Sequence, residues 1–499
     1  MTILIYRYGN ICEPDIIRTF QEFGTQVEEI CEEITEKKMT ASRRVELVHN
    51  AIENCRPAMV FSINFFPTIA EVCHIHGLLY CCWTVDAPVP ELYSQAITYD
   101  TNRIFLFDRS QYLEFREFQP DYTFHLPLAA AVERFDQVLG GKKDPLADSR
   151  YDISFVGSLY SEKNPLASME LPEYERGYVD ALSEAAVFVY GYDLIGNTLS
   201  DRCVKTIREK APNFYAPENV MADPERYVAV NSYVGIQAAE RERILTLNRL
   251  AEHFRVDLFT GSDTAPLNGV NTHGTVKTLI QMPWIFRNSK INLNMTIKPI
   301  RTGLPLRIFD ILGCGGFCMT NYQEELEDLF RIGADLEAYG SPEELEEKVD
   351  QLIKEIAALI ETSENGKIIR DGIRTVIVGK PNAGKSSLMN VLLKKERAIV
   401  TDIAGTTRDV LEEHMNLQGI SLNIVDTAGI RDTEDVVEKI GVDKALSLVD
   451  KADFIIYVVD TSTALDENDE KIIDAIREKK AIILLNKSDL IQVTGEDEI

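Results

Sequence analysis

The fold of the last third of the chain is decided by one stretch, Ile373-Arg374-Thr375-Val376-Ile377-Val378-Gly379-Lys380-Pro381-Asn382-Ala383-Gly384-Lys385-Ser386. Its first part, Ile373–Val378, has the apolar, β-branched composition of a buried strand. The rest matches the phosphate-loop pattern G-x-x-x-x-G-K-[ST], and a run of helical character follows it from Ser387. The stretch therefore predicts a strand, a phosphate-binding loop and a helix that together bind a nucleotide.

The residue types of this loop suit phosphate chemistry. Gly379 and Gly384 allow backbone N–H groups to converge on phosphate oxygens at a helix N-terminus. Lys385 brings a positive charge to the β- and γ-phosphates, and the hydroxyl of Ser386 is a ligand for Mg²⁺. The remaining residues of the predicted phosphate cradle are Asn382, Ala383 and Ser387.

Two further motifs favour GTP over ATP. Asp426-Thr427-Ala428-Gly429 follows the apolar run Leu422–Val425, where the carboxylate can hold the water shell of Mg²⁺ and the glycine N–H can meet the γ-phosphate. Asn486-Lys487-Ser488-Asp489 follows the predicted strand Ala481–Leu485, and the Asp489 carboxylate can accept both N–H donors on the Watson–Crick edge of guanine.

With these motifs in place, the segment from about Ile356 to Leu490 resembles the MnmE (TrmE) family of tRNA-modification GTPases. One segment of this chain resembles the potassium loop and first switch of that family: Thr401-Asp402-Ile403-Ala404-Gly405-Thr406-Thr407-Arg408-Asp409. The resemblance implies nucleotide contacts at Thr401 and Thr406, a Mg²⁺ or γ-phosphate ligand at Thr407, and a K⁺ ion held partly by Asn382 and Thr401. Ile430 stands where Ras-type enzymes have a water-orienting glutamine, and the resemblance assigns that role to Glu438 once two G domains pair face to face.

The chain also departs from the pattern of this family. The family's folate-binding domain and the cysteine-bearing half of its helical domain have no counterpart in the sequence. A complete GTPase fold needs one more strand and a helix after Asp489. We therefore expect a Ras-like P-loop domain that lacks its last strand and helix.

The first 350 residues alternate short β-rich runs with segments of helical period. The predicted strands are Ile3–Tyr6, Ala58–Ile63, Leu78–Trp83, Ile104–Phe107, Ile153–Gly157 and Val256–Thr260. The pattern indicates an α/β fold with two Rossmann-like lobes, residues 1–145 and 146–350. A helix starts within the second lobe, at Ser341-Pro342-Glu343-Glu344, and continues into a helical linker, residues 351–372. The GTPase domain, residues 373–499, follows this linker.

The second lobe carries a second resemblance. Ser289–Thr296, followed by Gly303-Leu304-Pro305-Leu306-Arg307-Ile308-Phe309-Asp310-Ile311-Leu312-Gly313-Cys314-Gly315-Gly316, resembles CgeB-like group 1 glycosyltransferases of the GT-B fold. The resemblance implies that Asp310 binds the ribose hydroxyls of a nucleotide sugar, whose sugar passes to an unknown acceptor. The family pattern has a second acidic residue where this chain has Thr302. Arg301 and Arg307 can neutralise a diphosphate leaving group, or lie solvated near a turn.

Composition limits the partners. Fifty-two Lys and Arg residues against eighty Asp and Glu residues give a formal net charge of −28, which disfavours DNA and does not support a tRNA partner.

Nine cysteines, an odd number, do not form a disulfide framework and favour a reducing cytoplasm. The sequence Cys73-His74-Ile75-His76 is better explained by packing than by metal binding. Cys314 and Cys318 are better explained as small core residues than as nucleophiles, because no nearby His or Asp pattern supplies a base. No apolar run reaches membrane-spanning length, so we expect no membrane partner.

The sequence thus predicts a composite protein with GTP hydrolysis at one end and glycosyl transfer at the other. One alternative is a GTP-dependent enzyme that modifies the wobble uridine of tRNA and has a replaced front half. Another is a sugar-binding or scaffold module without catalysis, fused to a GTPase fragment. A third is that two unrelated reading frames are joined between residues 350 and 372.

Overall fold

The computed structural model describes residues 1–140, 150–215, 217, 219–355, 373–395, 412–417, 420–426, 448–477 and 479–495. They belong to two compact units, Met1–Asp350 and Gln351–Ile499, which we call the front unit and the rear unit. In the described part of the chain, no helix is both long and apolar enough to cross a lipid bilayer.

The first lobe of the front unit is built on six parallel strands in the order β2-β1-β3-β4-β5-β6. Their bounds are β1 Thr2–Tyr6, β2 Gln26–Ile30, β3 Met59–Ile63, β4 Leu79–Trp83, β5 Asn102–Leu106 and β6 Thr123–His125. Leu4 and Tyr6 pack into one apolar cluster, and Ile3 and Ile5 pack into another. Successive side chains point to opposite faces of a strand, so β1 is buried on both sides.

Five main helices flank this sheet: Glu13–Glu22, Ala41–Cys55, Pro67–Ile75, Arg109–Phe115 and Val132–Leu139. Their starts follow local capping chemistry. Thr40 accepts a hydrogen bond from the N–H of Arg43, and Asp108 accepts hydrogen bonds from the N–H groups of Ser110 and Gln111. Asp108 is fully buried, and its second oxygen accepts a hydrogen bond from the N–H of Arg301.

The second lobe contains six parallel strands in the order β12-β11-β10-β7-β8-β9. Their bounds are β7 Tyr151–Val156, β8 Val256–Phe259, β9 Asn271–Thr272, β10 Ser289–Asn294, β11 Cys318–Asn321 and β12 Glu337–Tyr339. The strand order reverses between β7 and β10, so the loops after these two strands diverge and leave a crevice where ligands bind in open α/β sheets. The helices Met282–Asn288 and Leu306–Gly313 flank β10 in the sequence.

A helical insertion separates β7 from β8. Its longer helices are Glu173–Val187, Asp201–Lys210 and Gly235–Ala251, with short turns at Leu194–Thr198 and Glu225–Val228 and a π-helix at Ala229–Val234. These helices share their own apolar cluster. The insertion also reaches the first lobe, where the rings of Tyr227 and Tyr93 lie 5.0 Å apart.

The rear unit is built on a five-stranded sheet in the order β14-β15-β13-β16-β17. Its strands are β13 Ile373–Val378, β14 Glu412–Leu417, β15 Ile420–Asp426, β16 Phe454–Asp460 and β17 Ala481–Asn486, and only β14 runs antiparallel to its neighbour. The described helices include Lys385–Lys395 and Glu467–Ile476. In the described part of this sheet β17 is an edge strand, and Ile482, Ile483 and Leu484 on it are exposed.

The structure confirms a mixed α/β chain with parallel sheets, and the predicted strands recur with ends moved by one or two residues. The sequence pattern does not predict β2, because this edge strand reads Gln-Val-Glu-Glu-Ile and exposes most of its side chains. Cys73 is buried within the helix Pro67–Ile75, and the described residues contain no group of three metal-binding side chains. The predicted domain bounds stay predictions, beside the division after Asp350 that the compact units give.

Candidate functional site

The phosphate loop of the rear unit joins β13 to the helix Lys385–Lys395. Gly379 has a φ of +149° and Gly384 a φ of +106°, conformations that side chains with a Cβ rarely adopt. A Cβ at Gly379 would collide with the carbonyl of Val458, and one at Gly384 would collide with the amide of Asn486. The two glycines of the motif are therefore required by the close approach of β16 and β17.

Lys385 lies at the first turn of the helix and folds back over this loop. Its Nζ donates hydrogen bonds to the carbonyl oxygens of Gly379, at 2.6 Å, and of Lys380, at 2.7 Å. These contacts hold the ammonium group beside the helix N-terminus, whose N–H groups also attract anions. Ser386 and Ser387 are exposed in the same turn. The loop thus collects the cation, the N–H donors and the hydroxyl that a triphosphate with Mg²⁺ requires.

The predicted guanine-reading motif is tied to the phosphate loop. Asn486 closes β17, and its Nδ2 donates a 2.7 Å hydrogen bond to the carbonyl of Ala383. Its own carbonyl accepts hydrogen bonds from the N–H and the hydroxyl of Thr461. Asp489, three residues further along, is exposed and can meet a base. The structure therefore brings the predicted base loop against the phosphate loop.

Lys487 is held by a carboxylate on the neighbouring strand. Its backbone has a φ of +62°, and its Nζ lies 2.5 Å from Oδ2 of Asp460. The hydrogen bond from Lys487, with a second from Ser462, lowers the pKa of Asp460 to about 2. Further on, the N–H of Val493 donates to the carbonyl of Thr461, at 2.7 Å. The backbone around Asp489 is thus anchored on both sides.

Several predicted site residues lie outside the described part of the chain. They are Thr401, Thr406, Thr407, Thr427, Ala428, Gly429 and Glu438. Asp426 ends β15 in the register opposite Ile377 of β13, and only its backbone is described. The roles of these residues, and of Asn382 as a K⁺ ligand, stay predictions; Asn382 itself is exposed with a φ of +62°.

In the front unit, Asp310 lies close to charged residues of the first lobe, Arg134 and Asp15. It lies on the helix Leu306–Gly313, is only 5% exposed, and has Nη1 of Arg307 at 3.7 Å from its Oδ2. Burial raises the pKa of Asp310 to about 6, against the attraction of Arg307 and Arg134. Burial lowers the pKa of the Arg307 guanidinium, again against the attraction of Asp310. The two predicted residues form a half-buried ion pair at the start of this helix.

The first lobe supplies the other charged groups near Asp310, which are Arg134 and Asp15. Arg134 forms an ion pair with Asp15, with Nε and Oδ2 at 3.0 Å. The pKa of the Cys12 thiol is raised to about 12 by burial and by the nearby carboxylates of Asp310, Asp86 and Asp15. Asp310 thus lies near the segments of the first lobe that follow β1 and β4, which carry Cys12 and Asp86.

Arg301 and Thr302 take part in a polar joint between the lobes. The N–H of Arg301 donates to Oδ2 of Asp108 at 2.8 Å, and its guanidinium pairs with Glu114. The hydroxyl of Thr302 contacts Oδ1 of Asp108 at 2.9 Å and Oε1 of Glu325 at 2.8 Å. The structure thus brings Arg307 to Asp310 but engages Arg301 with the first lobe, so its role at a diphosphate stays a prediction.

Sequence reasoning missed Asp108 and Glu325, which this joint depends on. Glu325 is 2% exposed and also accepts hydrogen bonds from the N–H of Arg109, at 2.7 Å, and pairs with His125, at 2.9 Å. A Cβ at Gly303 would lie 2.8 Å from Cα of Asp108, so only glycine permits this approach of the lobes. No local pattern announces contacts between residues so distant in the sequence.

Two family models match the chain. The model described as a 50S ribosome-binding GTPase matches residues 374–487, and the model described as glycosyl transferase-like matches residues 241–374. The rear unit is a GTPase G domain similar to MnmE. The similarity is to proteins named tRNA modification GTPase MnmE. The part of the front unit that the second model matches, from residue 241 onward, is glycosyltransferase-like. Both predicted resemblances are confirmed.

MnmE of Lachnoclostridium phytofermentans is 38% identical over 310 residues, which cover 62% of this chain and 64% of that protein. MnmE of Finegoldia magna is 40% identical over 310 residues, covering 60% of this chain and 63% of that protein. MnmE of Clostridioides difficile is 57% identical over 155 residues, covering 31% and 34%. The chain therefore spans less than two thirds of the length of these relatives.

Among solved structures, HepE of Anabaena in complex with UDP and glucose matches 72% of this chain and 91% of its own, with 10% identity and a TM-score of 0.39. Era of Aquifex aeolicus matches 24% of this chain and 42% of its own, with 33% identity and a TM-score of 0.19.

Proposed function

We propose that the G domain of the rear unit binds GTP with Mg²⁺ and hydrolyses it. The observation that carries the proposal is the bond between Asn486 and Ala383, which joins the base-reading loop to the phosphate loop. Lys385 leaves its carbonyl partners to contact the β- and γ-phosphates. Mg²⁺, when bound, neutralises charge on these phosphates and has Ser386, Thr407 and Asp426 as its proposed ligands.

Guanine selectivity is proposed to rest on Asp489. Its carboxylate accepts the N1–H and the N2–H of guanine, a pair of donors that adenine does not present. Lys487 cannot swing freely across the base, because its ammonium is held by Asp460. Its methylene stem is the part available to pack on the purine ring.

Hydrolysis is proposed to depend on K⁺ and on pairing of two G domains. Ile430 has no group that orients water, so a cation near the phosphates must supply the charge that an arginine finger supplies elsewhere. Asn382 and Thr401 are the proposed K⁺ ligands, and Glu438 positions the water. This part rests on the resemblance to MnmE.

The test is GTP turnover by the full chain in KCl against equal ionic strength of NaCl. We expect turnover in KCl to exceed turnover in NaCl by about tenfold or more, because the cation stabilises transition-state charge. Asn382→Ala should reduce this ratio, whereas Asn390→Ala, an exposed asparagine on the helix after the loop, should not. Equal turnover in both salts would contradict the K⁺ proposal and leave GTP binding to be judged by calorimetry.

For the front unit we propose glycosyl transfer from a nucleotide sugar. The supporting observation is the half-buried ion pair of Asp310 and Arg307, which lies near charged residues of the first lobe. Above its raised pKa, the Asp310 carboxylate accepts hydrogen bonds from two ribose hydroxyls. Arg307 offsets the charge of the nucleoside diphosphate as the bond between the diphosphate oxygen and the anomeric carbon breaks. The acceptor oxygen bonds to that carbon, and the acceptor's proton passes to the departing diphosphate.

The test is incubation with UDP-, GDP- and TDP-sugars and measurement of released nucleoside diphosphate. We expect release with at least one donor, and loss of release in Asp310→Ala. Asp136→Ala, an exposed carboxylate of the first lobe, is the matched control and should keep the activity. If a nucleotide sugar binds but no nucleoside diphosphate is released with any acceptor that is added, the front unit is better explained as a sugar-binding module.

A tRNA substrate is the second candidate for the rear unit. The relatives are named for tRNA modification, but the chain covers less than two thirds of their length. A filter-binding titration with bulk tRNA tests this candidate directly, and the net charge of −28 predicts no binding at physiological salt.

All nine cysteines are free thiols in the structure, which supports our proposal of a cytoplasmic protein.

A further inference from the structure

The side chain of Lys380, in the phosphate loop of the rear unit, is held by two carboxylates. Its Nζ lies 3.0 Å from Oδ2 of Asp466 and forms a closer ion pair with Oδ2 of Asp469. It also donates a hydrogen bond of 3.3 Å to the carbonyl of Ala464. Burial alone would lower the pKa of the Lys380 ammonium, but the hydrogen bonds to the two carboxylates raise it above its ordinary value. Lys380 therefore stays charged and is fixed in place.

Asp469 is the buried member of this cluster, with 3% of its surface exposed. Its Oδ1 accepts a 2.7 Å hydrogen bond from the hydroxyl of Tyr457, a fully buried residue of β16. Its Oδ2 accepts a 3.1 Å hydrogen bond from the N–H of Asp466. A buried carboxylate is stable only when it is paired and hydrogen-bonded, so Asp469 depends on Lys380 for a compensating charge.

Both carboxylates are fixed by the start of the helix Glu467–Ile476. Asp466 is the N-cap of this helix, and its Oδ1 accepts hydrogen bonds from the N–H groups of Asn468, at 2.9 Å, and of Asp469, at 3.3 Å. Together with the bond from the Asp466 N–H to Asp469, these contacts form a capping box. The helix thus presents two immobilised oxygens to Lys380.

The position of Lys380 matters because its backbone belongs to the phosphate loop. The carbonyl of Lys380 accepts a 2.7 Å hydrogen bond from Nζ of Lys385. On the side of β16, Tyr457 lies opposite Val378, the last residue of β13 before the loop. The ion pair with Asp469 therefore fixes the loop on one side of Gly379, and the pairing of β13 with β16 fixes it on the other.

We propose that Lys380 is a positioning residue, which holds the phosphate loop through its ion pair with Asp469 in the shape that receives the β-phosphate of a guanine nucleotide. This inference rests on the proposed binding of GTP. A loop that is fixed before binding loses less conformational freedom when the nucleotide arrives. The competing explanation is that the ion pair stabilises the fold of the rear unit without affecting nucleotide binding.

The first experiment is calorimetric titration of the full chain with GDP and Mg²⁺. Lys380→Met and Asp469→Asn should each weaken GDP binding by about tenfold. The variant that carries both substitutions should also be weakened by about tenfold, rather than by about a hundredfold, because both substitutions remove the same ion pair. Lys380→Arg keeps the positive charge and should bind GDP within about threefold of the unaltered chain.

The second experiment separates positioning from stability. Lys380→Met leaves the buried Asp469 carboxylate without its cation, so this variant should also unfold at a lower urea concentration. The double variant has neither charge and should regain most of this stability, while its affinity for GDP stays low. Amide hydrogen exchange of residues 379–385 without nucleotide should be faster in the double variant than in the unaltered chain.

Two controls alter exposed residues of the same helix. Lys471→Met removes a lysine, and Asp474→Asn removes a carboxylate that is 72% exposed. Both should leave the affinity for GDP and the hydrogen exchange of the loop unchanged, because neither residue contacts the phosphate loop in the described part of the chain.

The inference is overturned if the double variant recovers its affinity for GDP together with its stability, since the ion pair would then act on the fold alone. It is also overturned if the effects of the two single substitutions simply add, or if hydrogen exchange of the loop is unchanged. If Lys385→Ala weakens nucleotide binding but Lys380→Met and Asp469→Asn do not, this inference is wrong and the proposed function stands. If the unaltered chain binds no guanine nucleotide, the proposed function is wrong and the positioning role falls with it.

Discussion

Nδ2 of Asn486 donates a hydrogen bond of 2.7 Å to the carbonyl oxygen of Ala383. This bond connects the end of β17 to the phosphate loop, 103 residues earlier in the chain. The absence of a side chain at Gly384 makes it possible, because a Cβ there would overlap the Asn486 amide. One short contact therefore joins the two loops that we propose recognise the base and the phosphates.

Asn486→Ala should lower the affinity for GTP and for GDP alike, by about tenfold, because it removes the bond that positions both loops. Calorimetric titration with each nucleotide measures the effect. Asn468→Ala, at the start of the helix Glu467–Ile476, is a control in the same unit. Normal affinity for both nucleotides in Asn486→Ala would refute the coupling.

Asp489→Asn should shift preference from guanine toward xanthine nucleotides. The asparagine amide offers a donor where the carboxylate offers an acceptor, and this suits the additional carbonyl of xanthine. Competition between GTP and XTP for a fluorescent nucleotide gives the ratio of affinities, which should change by at least about tenfold. Retained guanine preference would mean that the base lies elsewhere.

Asp310→Asn should raise the stability of the front unit at pH 7 and lower its release of nucleoside diphosphate. The pKa of Asp310 is raised to about 6 in the folded chain, against an ordinary value of 3.8, so the folded state holds its proton more tightly. The stability of the front unit therefore falls as pH rises from about 4 to 6, by about 3 kcal/mol for a shift of this size.

The neutral asparagine escapes this loss, so Asp310→Asn should be more stable than the unaltered chain at pH 7 by about 1–3 kcal/mol, and the gain should disappear near pH 4. Urea unfolding at both pH values measures it. Donor release should nevertheless fall, because the amide accepts fewer hydroxyl hydrogen bonds than the carboxylate. If the unaltered chain and Asp310→Asn are equally stable at pH 7, burial does not destabilise the charged form of the Asp310 carboxyl group.

Thr302→Val should weaken the joint between the lobes. The valine keeps the shape of the side chain but leaves Asp108 and Glu325 without the hydroxyl that both contact. We expect a loss of about 1–3 kcal/mol in the free energy of unfolding of the front unit. Thr198→Val changes an exposed threonine and should have no measurable effect. An unchanged unfolding midpoint in Thr302→Val would mean that the joint does not stabilise the unit.

The sequence predicted those parts of the fold whose causes are local. β13 ends in a run of four buried residues that follows from its apolar, β-branched composition, and the phosphate loop is marked by glycines that its conformation requires. Thr302 was seen only as a departure from a family pattern, because its partner Asp108 lies 194 positions away. The pairing of Lys298 with Glu242 likewise arises only when the loop after β10 approaches the helix Gly235–Ala251.

The central claim is that the rear unit is a GTP-binding domain whose phosphate loop works through Lys385. Titration calorimetry of the full chain with GTP and Mg²⁺ tests it, with Lys385→Ala beside Lys471→Ala, an exposed lysine of the same unit. We predict that Lys471→Ala binds GTP as the unaltered chain does and that Lys385→Ala binds it about 10- to 100-fold more weakly. Equal affinity of the two variants for GTP would contradict the account.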